Sequence, residues 1–260
     1  MERQKQKKPL RKPLKITLIV LGAIVALCLA VMAICMVPLQ TEDVAVSAMQ
    51  TEDGVTVREL EGVGTAFVPD KTAIAGLIFY PGARVQNEAY APLMHSLAEQ
   101  GILAVVVDVP FCLAFFDVNA ADGVAEQFPE VDSWYVGGHS LGAAIAGKYL
   151  SHHTDTLDGL VMFAGFVTDD LSETDVNVIS VYGDRDGVLS DGLYEKYRSE
   201  LPESLSEFVI EGGNHAGFAY YGDQMGDNAA EIPKAQQISV AAQYCAEQIE
   251  SFLIEKENSK

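Results

Sequence analysis

The chain has 260 residues, which is enough for one substantial core and too few for two ordinary enzyme domains. Its first 15 residues hold 7 of the 17 basic residues and 1 of the 37 acidic ones, so the remainder carries a formal net charge of −26. A surface this acidic repels phosphate backbones, which excludes nucleic acid as an expected partner and disfavours strongly anionic substrates.

An uncharged apolar segment runs from Ile16 to Val37. Its 22 residues would span about 33 Å as a helix, enough to cross a bilayer, whereas the apolar part of a signal peptide is about 7–15 residues long. The sequence therefore predicts an N-terminal transmembrane anchor, with cleavage after the small residues 46–48 as the alternative. Because basic flanks stay in the cytoplasm, residues 1–15 are predicted to be a cytoplasmic tail and the rest to lie outside the cell membrane.

The residues after the apolar segment divide into a polar stretch and a regular pattern. Residues 38–54 are polar and small and are interpreted as a tether, and residues 55–257 as the folded domain. Short apolar runs with strand character lie at Val55–Leu60, Thr65–Val68, Gly76–Tyr80, Ile102–Val109, Trp134–Val136, Leu160–Phe163, Val178–Tyr182 and Phe208–Ile210. Most are continuous, as in strands buried on both faces, and amphipathic helical stretches lie between them.

This alternation predicts an α/β fold with a mostly parallel central sheet and helices on both faces. The first two strands are expected to pair antiparallel, because little chain separates them. In such sheets ligands bind outside the carboxyl ends of the strands, so candidate site residues are sought there.

The first candidate is Ser140, in the sequence Gly138-His139-Ser140-Leu141-Gly142. The pattern G-x-S-x-G lies between a predicted strand and a predicted helix, where a sharp turn exposes a nucleophilic serine. A serine hydroxyl needs a base, and of the five histidines His215 is the best placed, in a glycine-rich loop after the last strand. His139 is expected to point away from the serine, and His95, His152 and His153 to pack or to cap helix carbonyls.

A carboxylate must orient the base. Two aspartates follow the strand Val178–Tyr182, and Asp186 is predicted to take this role, with Asp184 as the alternative. The order Ser140, Asp186, His215 is that of α/β-hydrolases. The backbone amides of Leu141 and Ala83 are the predicted oxyanion donors, one directly after the nucleophile and one in the Pro-Gly turn after the strand Gly76–Tyr80.

The segments FYPGARV, GGHSLGA, VYGDRDGV and EGGNHAGFAYYG resemble those of compact α/β-hydrolases of membrane-anchored or secreted character, related to dienelactone-hydrolase-like proteins. The resemblance covers about residues 55–255 and implies an α/β-hydrolase fold with a catalytic triad. Dienelactone hydrolases use a cysteine nucleophile, whereas this chain has a serine.

The cleft is predicted to be open, because the short stretch between Phe163 and Val178 leaves no room for a helical cap. Its walls are expected to come from the aromatic stretches 111–116 and 218–221, with the segment Asp223–Ile232 as an alternative lid. The two cysteines outside the apolar segment, Cys112 and Cys245, are predicted to be buried free thiols. No cofactor is expected, and no metal, since no cluster of ligands has suitable spacing.

These observations predict a serine hydrolase that acts through an acyl-enzyme on a small, uncharged ester, with amides and thioesters as alternatives. Two other functions are compatible with these observations. An acyltransferase would use the same triad, and a catalytically silent binding domain would use the fold as a scaffold.

Overall fold

The computed structural model describes residues 12–35, 37–51 and 54–259, which fall into two compact units divided between Val37 and Pro38. Helix α1 (Lys12–Cys35) belongs to the first unit. No helix among the described residues is long and apolar enough to cross a membrane. The predicted tail at residues 1–15 lies mostly outside the described residues, and so do several side chains of the predicted anchor, among them 31–36. Membrane anchoring therefore stays a prediction.

The second unit is built on one sheet, which has eight strands among the described residues. The strands are β1 (Val55–Leu60), β2 (Gly64–Pro69), β3 (Ala75–Tyr80), β4 (Ile102–Val107), β5 (Trp134–His139), β6 (Gly159–Phe163), β7 (Asn177–Gly183) and β8 (Ser206–Ile210). Their order is β1-β2-β4-β3-β5-β6-β7-β8. The pairs β1–β2 and β2–β4 are antiparallel and all others are parallel. The predicted mostly parallel sheet with an antiparallel start is confirmed.

Five helices of this unit lie within the described residues: α2 (Asp43–Ser47), α3 (Ala91–Glu99), α4 (Leu141–Leu150), α5 (Asp191–Tyr197) and α6 (Lys234–Asn258). The sheet separates two hydrophobic cores. Apolar residues of α3 and α6 belong to one core and those of α4 to the other. In strand β4, Val105 and Val106 point to opposite faces of the sheet, and each enters a different core. Because both faces of the strand are buried, its sequence is continuously apolar.

The segment predicted to be a tether is part of the folded unit, which begins at Pro38 and not at residue 55. Leu39 forms a bridge with Val85, and Glu42 N–H donates a hydrogen bond of 2.9 Å to the carbonyl of Tyr220. Ala45 in α2 is fully buried. The prediction is corrected because small side chains, which suggested a flexible linker, also allow close packing against the loops at the carboxyl edge of the sheet.

Both cysteines of this unit, Cys112 and Cys245, are free thiols. Cys245 is fully buried in α6, as predicted, whereas Cys112 is only half-buried, because it lies in an irregular loop after β4. Burial raises the pKa of both thiols, so both are poor nucleophiles at neutral pH.

Candidate active site

Ser140 lies alone between the end of β5 and the start of α4. Its backbone has φ 54° and ψ −119°, a conformation that is strained for any residue with a side chain and is typically found at functional sites. Its N–H donates a hydrogen bond of 2.9 Å to the carbonyl of Phe163 at the end of β6, which holds the turn in place. The side chain is partly exposed at the carboxyl edge of the sheet.

The two glycines around Ser140 are required by contact distances. A Cβ on Gly142 would lie 2.1 Å from the carbonyl oxygen of Tyr80, and a Cβ on Gly138 would lie 2.4 Å from the carbonyl carbon of Gly142. Neither backbone can move away, since both belong to the central sheet and its helix. The pattern G-x-S-x-G is therefore a packing requirement of this turn.

His215 follows β8 and begins a short 3-10 turn. Its side chain is 1% exposed, and its Nδ1 lies 2.8 Å from Oδ2 of Asp186. Because a carboxylate only accepts hydrogen bonds, Nδ1 carries the proton in this pair, and Nε2 is left as the basic nitrogen. Nε2 is buried and has no hydrogen-bond partner among the described residues.

The two candidate aspartates have different surroundings. The Asp186 side chain is 4% exposed, and its second oxygen, Oδ1, accepts hydrogen bonds from the N–H groups of Val188 (2.8 Å) and Leu189 (2.7 Å). Asp184 is exposed and accepts a bond of 2.8 Å from the N–H of Gly212. Asp186 is therefore the carboxylate beside the imidazole, and Asp184 ties the loops after β7 and β8 together.

Ser140 and His215 line one cavity of about 280 Å³. No hydrogen bond joins Ser140 to Nε2 of His215 in this structure. Such bonds are often long in free enzymes and tighten when substrate binds. The rest of the lining is mostly apolar and comes from α4, from the loops after β6 and β7, and from α5: Leu141, Ala144, Ala164, Gly165, Phe166, Val188, Leu189, Ser190 and Leu193.

The two predicted oxyanion donors are the backbone amides of Leu141 and Ala83. Leu141 is the first residue of α4, so its N–H has no acceptor within the helix. In the loop after β3, Gly82 N–H donates to Oη of Tyr90 (2.8 Å) and Arg84 N–H to a backbone carbonyl (2.7 Å). Between them, Ala83 N–H makes no hydrogen bond within the described residues. Both predicted donors are thus available, and their catalytic role stays a prediction.

The predicted aromatic walls do not line this cavity, and that prediction is corrected. Phe111, Phe115 and Phe116 are 60%, 49% and 50% exposed and contact each other instead. They follow β4, which is separated from β5 by β3, whereas the cavity lies over β5 to β7. Phe218 and Tyr221 are buried in the core, next to the ring of His139.

Asp227 lies in the segment Asp223–Ile232, and nothing in the sequence indicated that it contacts the candidate site. Its Oδ1 accepts hydrogen bonds from the N–H groups of Gly187 (3.0 Å) and His215 (3.3 Å), and its Oδ2 from that of Ala216 (2.9 Å). One carboxylate thus joins the loop of Asp186 to the loop of His215. No local pattern marks it, because the first of these partners is 40 residues away.

Three other histidines, His95, His152 and His153, make structural contacts away from the cavity. His152 and His153 face carbonyls of the last turn of α4, and His95 packs edge-on against Phe67, as predicted. Within the part of the chain that the structure describes, no group of three or more His, Cys, Asp or Glu residues could hold a metal ion.

Comparison with known proteins shows the family to which this chain belongs. A model described as "Alpha/beta hydrolase family" matches residues 76–239, more than half of the chain. The chain therefore belongs to the alpha/beta hydrolase family, which is a family of hydrolases, and the predicted resemblance is confirmed. A search of curated proteins gave no match.

Solved structures with the same fold include Est1E from Butyrivibrio proteoclasticus, with a TM-score of 0.55 and 14% identity over 76% of this chain and 99% of that one. A structure of ferulic acid bound to Est1E gives a TM-score of 0.56 and 13% identity, covering 76% of this chain and 97% of that chain. A predicted CIB-like hydrolase from Thermoplasma acidophilum gives 0.53 and 13%, covering 75% and 100%. At these identities the likeness shows the fold alone.

Proposed function

We propose that the chain is a serine hydrolase that cleaves small, uncharged esters through an acyl-enzyme. The observation that carries this proposal is His215, which lines the same cavity as Ser140. Its imidazole is buried, its Nδ1 is bound to Asp186, and its Nε2 has no partner among the described residues. A buried polar atom without a partner is rare in proteins and is expected where a substrate or nucleophile completes the bond.

In the proposed reaction, Ser140 Oγ attacks the ester carbonyl carbon and His215 Nε2 takes the hydroxyl proton. Asp186 stabilises the imidazolium through the Nδ1–H bond. The tetrahedral oxyanion accepts hydrogen bonds from the N–H groups of Leu141 and Ala83. The C–O bond to the alcohol then breaks, and the alcohol leaves with the proton from Nε2. Water repeats the same steps on the acyl-enzyme and releases the acid.

The size and lining of the cavity support a small substrate. About 280 Å³ lies just below the roughly 300–1,000 Å³ typical of small-molecule sites. The side chains of Phe166, Val188 and Leu193 offer apolar contact and no charge, so the group bound there is expected to be a short acyl chain or a single ring. Ferulic acid, which binds Est1E, is a single-ring carboxylic acid and fits this size class.

The triad is tested by labelling the full chain with a fluorophosphonate probe and measuring hydrolysis of p-nitrophenyl acetate. Ser140→Ala should abolish labelling and lower kcat by several orders of magnitude, while the circular dichroism spectrum stays unchanged. Ser190→Ala, which also lines the cavity, serves as the matched control and should still be labelled. Labelling of Ser140→Ala would place the nucleophile elsewhere.

We also propose that the segment Ile16–Val37 anchors the chain in the cell membrane with residues 1–15 in the cytoplasm and the catalytic unit outside. The charge asymmetry of the flanks supports this orientation. Protease added to intact cells should digest the catalytic unit. Digestion only after lysis would show that the orientation is wrong.

A further inference from the structure

A continuous chain of hydrogen bonds passes beneath the catalytic centre. Gly82 N–H donates to Oη of Tyr90 (2.8 Å), this Oη lies 2.9 Å from Nδ1 of His139, and Nε2 of His139 lies 3.1 Å from the carbonyl oxygen of His215. The side chains of Tyr90 and His139 are both buried, at 0% and 1% exposure. Neither residue touches the cavity of Ser140.

The donors and acceptors of this chain can be arranged in only one way. The carbonyl of His215 only accepts, so Nε2 of His139 must carry a proton. Burial, together with the nearby His215, holds the pKa of His139 well below its usual value, so the ring is neutral and Nδ1 is an acceptor. The Tyr90 hydroxyl therefore donates to Nδ1, and its oxygen accepts from Gly82.

This series of hydrogen bonds connects the proposed oxyanion loop at one end with the proposed base at the other. Gly82 immediately precedes Ala83, the proposed oxyanion donor, and the far end is the backbone of the proposed base. The contacts are close, since a Cβ on Gly82 would lie 2.9 Å from both Tyr90 Oη and His139 Nδ1. The rings of His139 and His215 also contact each other, with centroids 4.7 Å apart.

We propose that Tyr90 and His139 are positioning residues, which together fix the distance between the amide of Ala83 and the imidazole of His215. This inference rests on the proposed function and goes beyond it. A buried, fully paired network between rigid elements can hold two groups to within a fraction of an ångström, and misplacement by about 1 Å costs on the order of 100-fold in rate.

The first test is Tyr90→Phe in the full chain, which removes the hydroxyl and keeps the ring. We expect kcat on p-nitrophenyl acetate to fall about 10- to 100-fold and the rate constant of fluorophosphonate labelling to fall by a similar factor, with KM within about threefold. The matched control is Tyr135→Phe. Tyr135 is equally buried, and its hydroxyl donates to Asn177 at the amino edge of the sheet (3.3 Å), so this variant should keep the wild-type kcat.

The second test compares two variants of His139. His139→Gln keeps an N–H that can reach the carbonyl of His215, whereas His139→Leu keeps only volume. We expect the Gln variant to retain at least tenfold more kcat than the Leu variant. Equal activity of the two would show that the hydrogen bond to His215 does not act on the reaction.

A spectroscopic measurement covers the case in which these variants fail to fold. Nitrogen-15 NMR of the wild-type chain at neutral pH should show His139 as the neutral tautomer with its proton on Nε2. A proton on Nδ1, or a charged ring, would overturn the proposal, because the directed chain to Gly82 would then not exist.

The outcomes separate this inference from the proposed function. If the wild-type chain cleaves esters and Tyr90→Phe lowers kcat no more than Tyr135→Phe does, the positioning role is wrong and the proposed function stands. If the wild-type chain is neither labelled nor active on esters, both are wrong.

Discussion

The two ends of the central sheet differ in how they satisfy their polar groups. The amino edge carries the larger hollow, about 740 Å³, and several carboxylates line it. There, Asp158 accepts a hydrogen bond of 2.6 Å from Ser133 and forms an ion pair with Lys256. At the carboxyl edge the cavity is smaller, yet Nε2 of His215 is buried without a partner among the described residues. The unpaired buried atom, and not the volume, distinguishes the candidate site.

Backbone strain follows the same division. The non-glycine residues with positive φ, within the described part of the chain, are Arg84, Phe111, Cys112, Ser140 and Ala164. Ser140 and Ala164 directly follow β5 and β6, and the other three lie four or five residues after the ends of β3 and β4, all at the carboxyl edge. Such conformations cost about 1–3 kcal/mol each and persist only where the surroundings enforce them. Here the hydrogen bonds and packing of the sheet hold these residues in their strained conformations.

At the carboxyl edge, the largest loss of kcat among the loop variants is expected for Asp186→Asn. The amide would favour the wrong tautomer of His215, so kcat should fall on the order of 10⁴-fold in a p-nitrophenyl acetate assay. Asp184→Asn is the matched control at the same strand end and should cost far less. The reverse ranking would mean that the contacts of these two loops in the active enzyme differ from those described above.

Asp227→Asn is expected to have an intermediate effect. An amide cannot accept hydrogen bonds on its nitrogen, so the variant loses either the bond from Ala216 N–H or those from Gly187 and His215 N–H. Either loss loosens the link between the loops of Asp186 and His215. We expect kcat to fall about 10- to 100-fold with little change in KM. Asp223→Asn, an exposed change in the same segment, should leave kcat unchanged, and a loss as large as that of Asp227→Asn would argue against the specific link.

The size of the cavity leads to a prediction about substrate. We expect p-nitrophenyl acetate and butyrate to have a higher kcat/KM than the palmitate, because about 280 Å³ does not hold a long chain. Ala144→Leu, which adds volume to the lining from within α4, should lower the ratio of butyrate to acetate about tenfold. A wild-type preference for palmitate would show that another surface binds the chain.

The smallest effect is expected at the amino edge. Ser133→Ala removes a buried hydroxyl that donates to Asp158 and should lower the free energy of unfolding by about 1 kcal/mol in urea titrations. Because the change lies at the opposite end of the sheet, kcat/KM should stay at the wild-type value. A clear loss of activity would mean that the two ends are coupled.

The strands could be predicted to within a few residues because each is a continuous apolar run between turn residues. The predicted run ends at Val136, but β5 continues to His139. Gly137 and Gly138 lie within the strand, where a Cβ would come 2.5 Å from the carbonyl oxygen of Val161 and 2.4 Å from the carbonyl carbon of Gly142, respectively. The segment from Pro38 was predicted to be a tether, because composition does not reveal that Ala45 packs against the domain.

The sequence by itself determined the fold class and singled out Ser140, Asp186 and His215 as candidates, because a strand-to-helix turn and strand-end loops have local sequence patterns. The tertiary structure alone decided which side chains line the cavity, that Asp227 joins two loops, and that Tyr90 and His139 connect opposite sides of the site. The hydrogen bonds of Asp227 to Gly187, of Tyr90 to His139 and of His139 to His215 link residues 40 to 76 positions apart, and the cavity lining depends on the order of strands in the sheet. Hydrogen bonds over such separations leave no trace in local composition, since any aspartate, tyrosine or histidine could make them once the chain has folded.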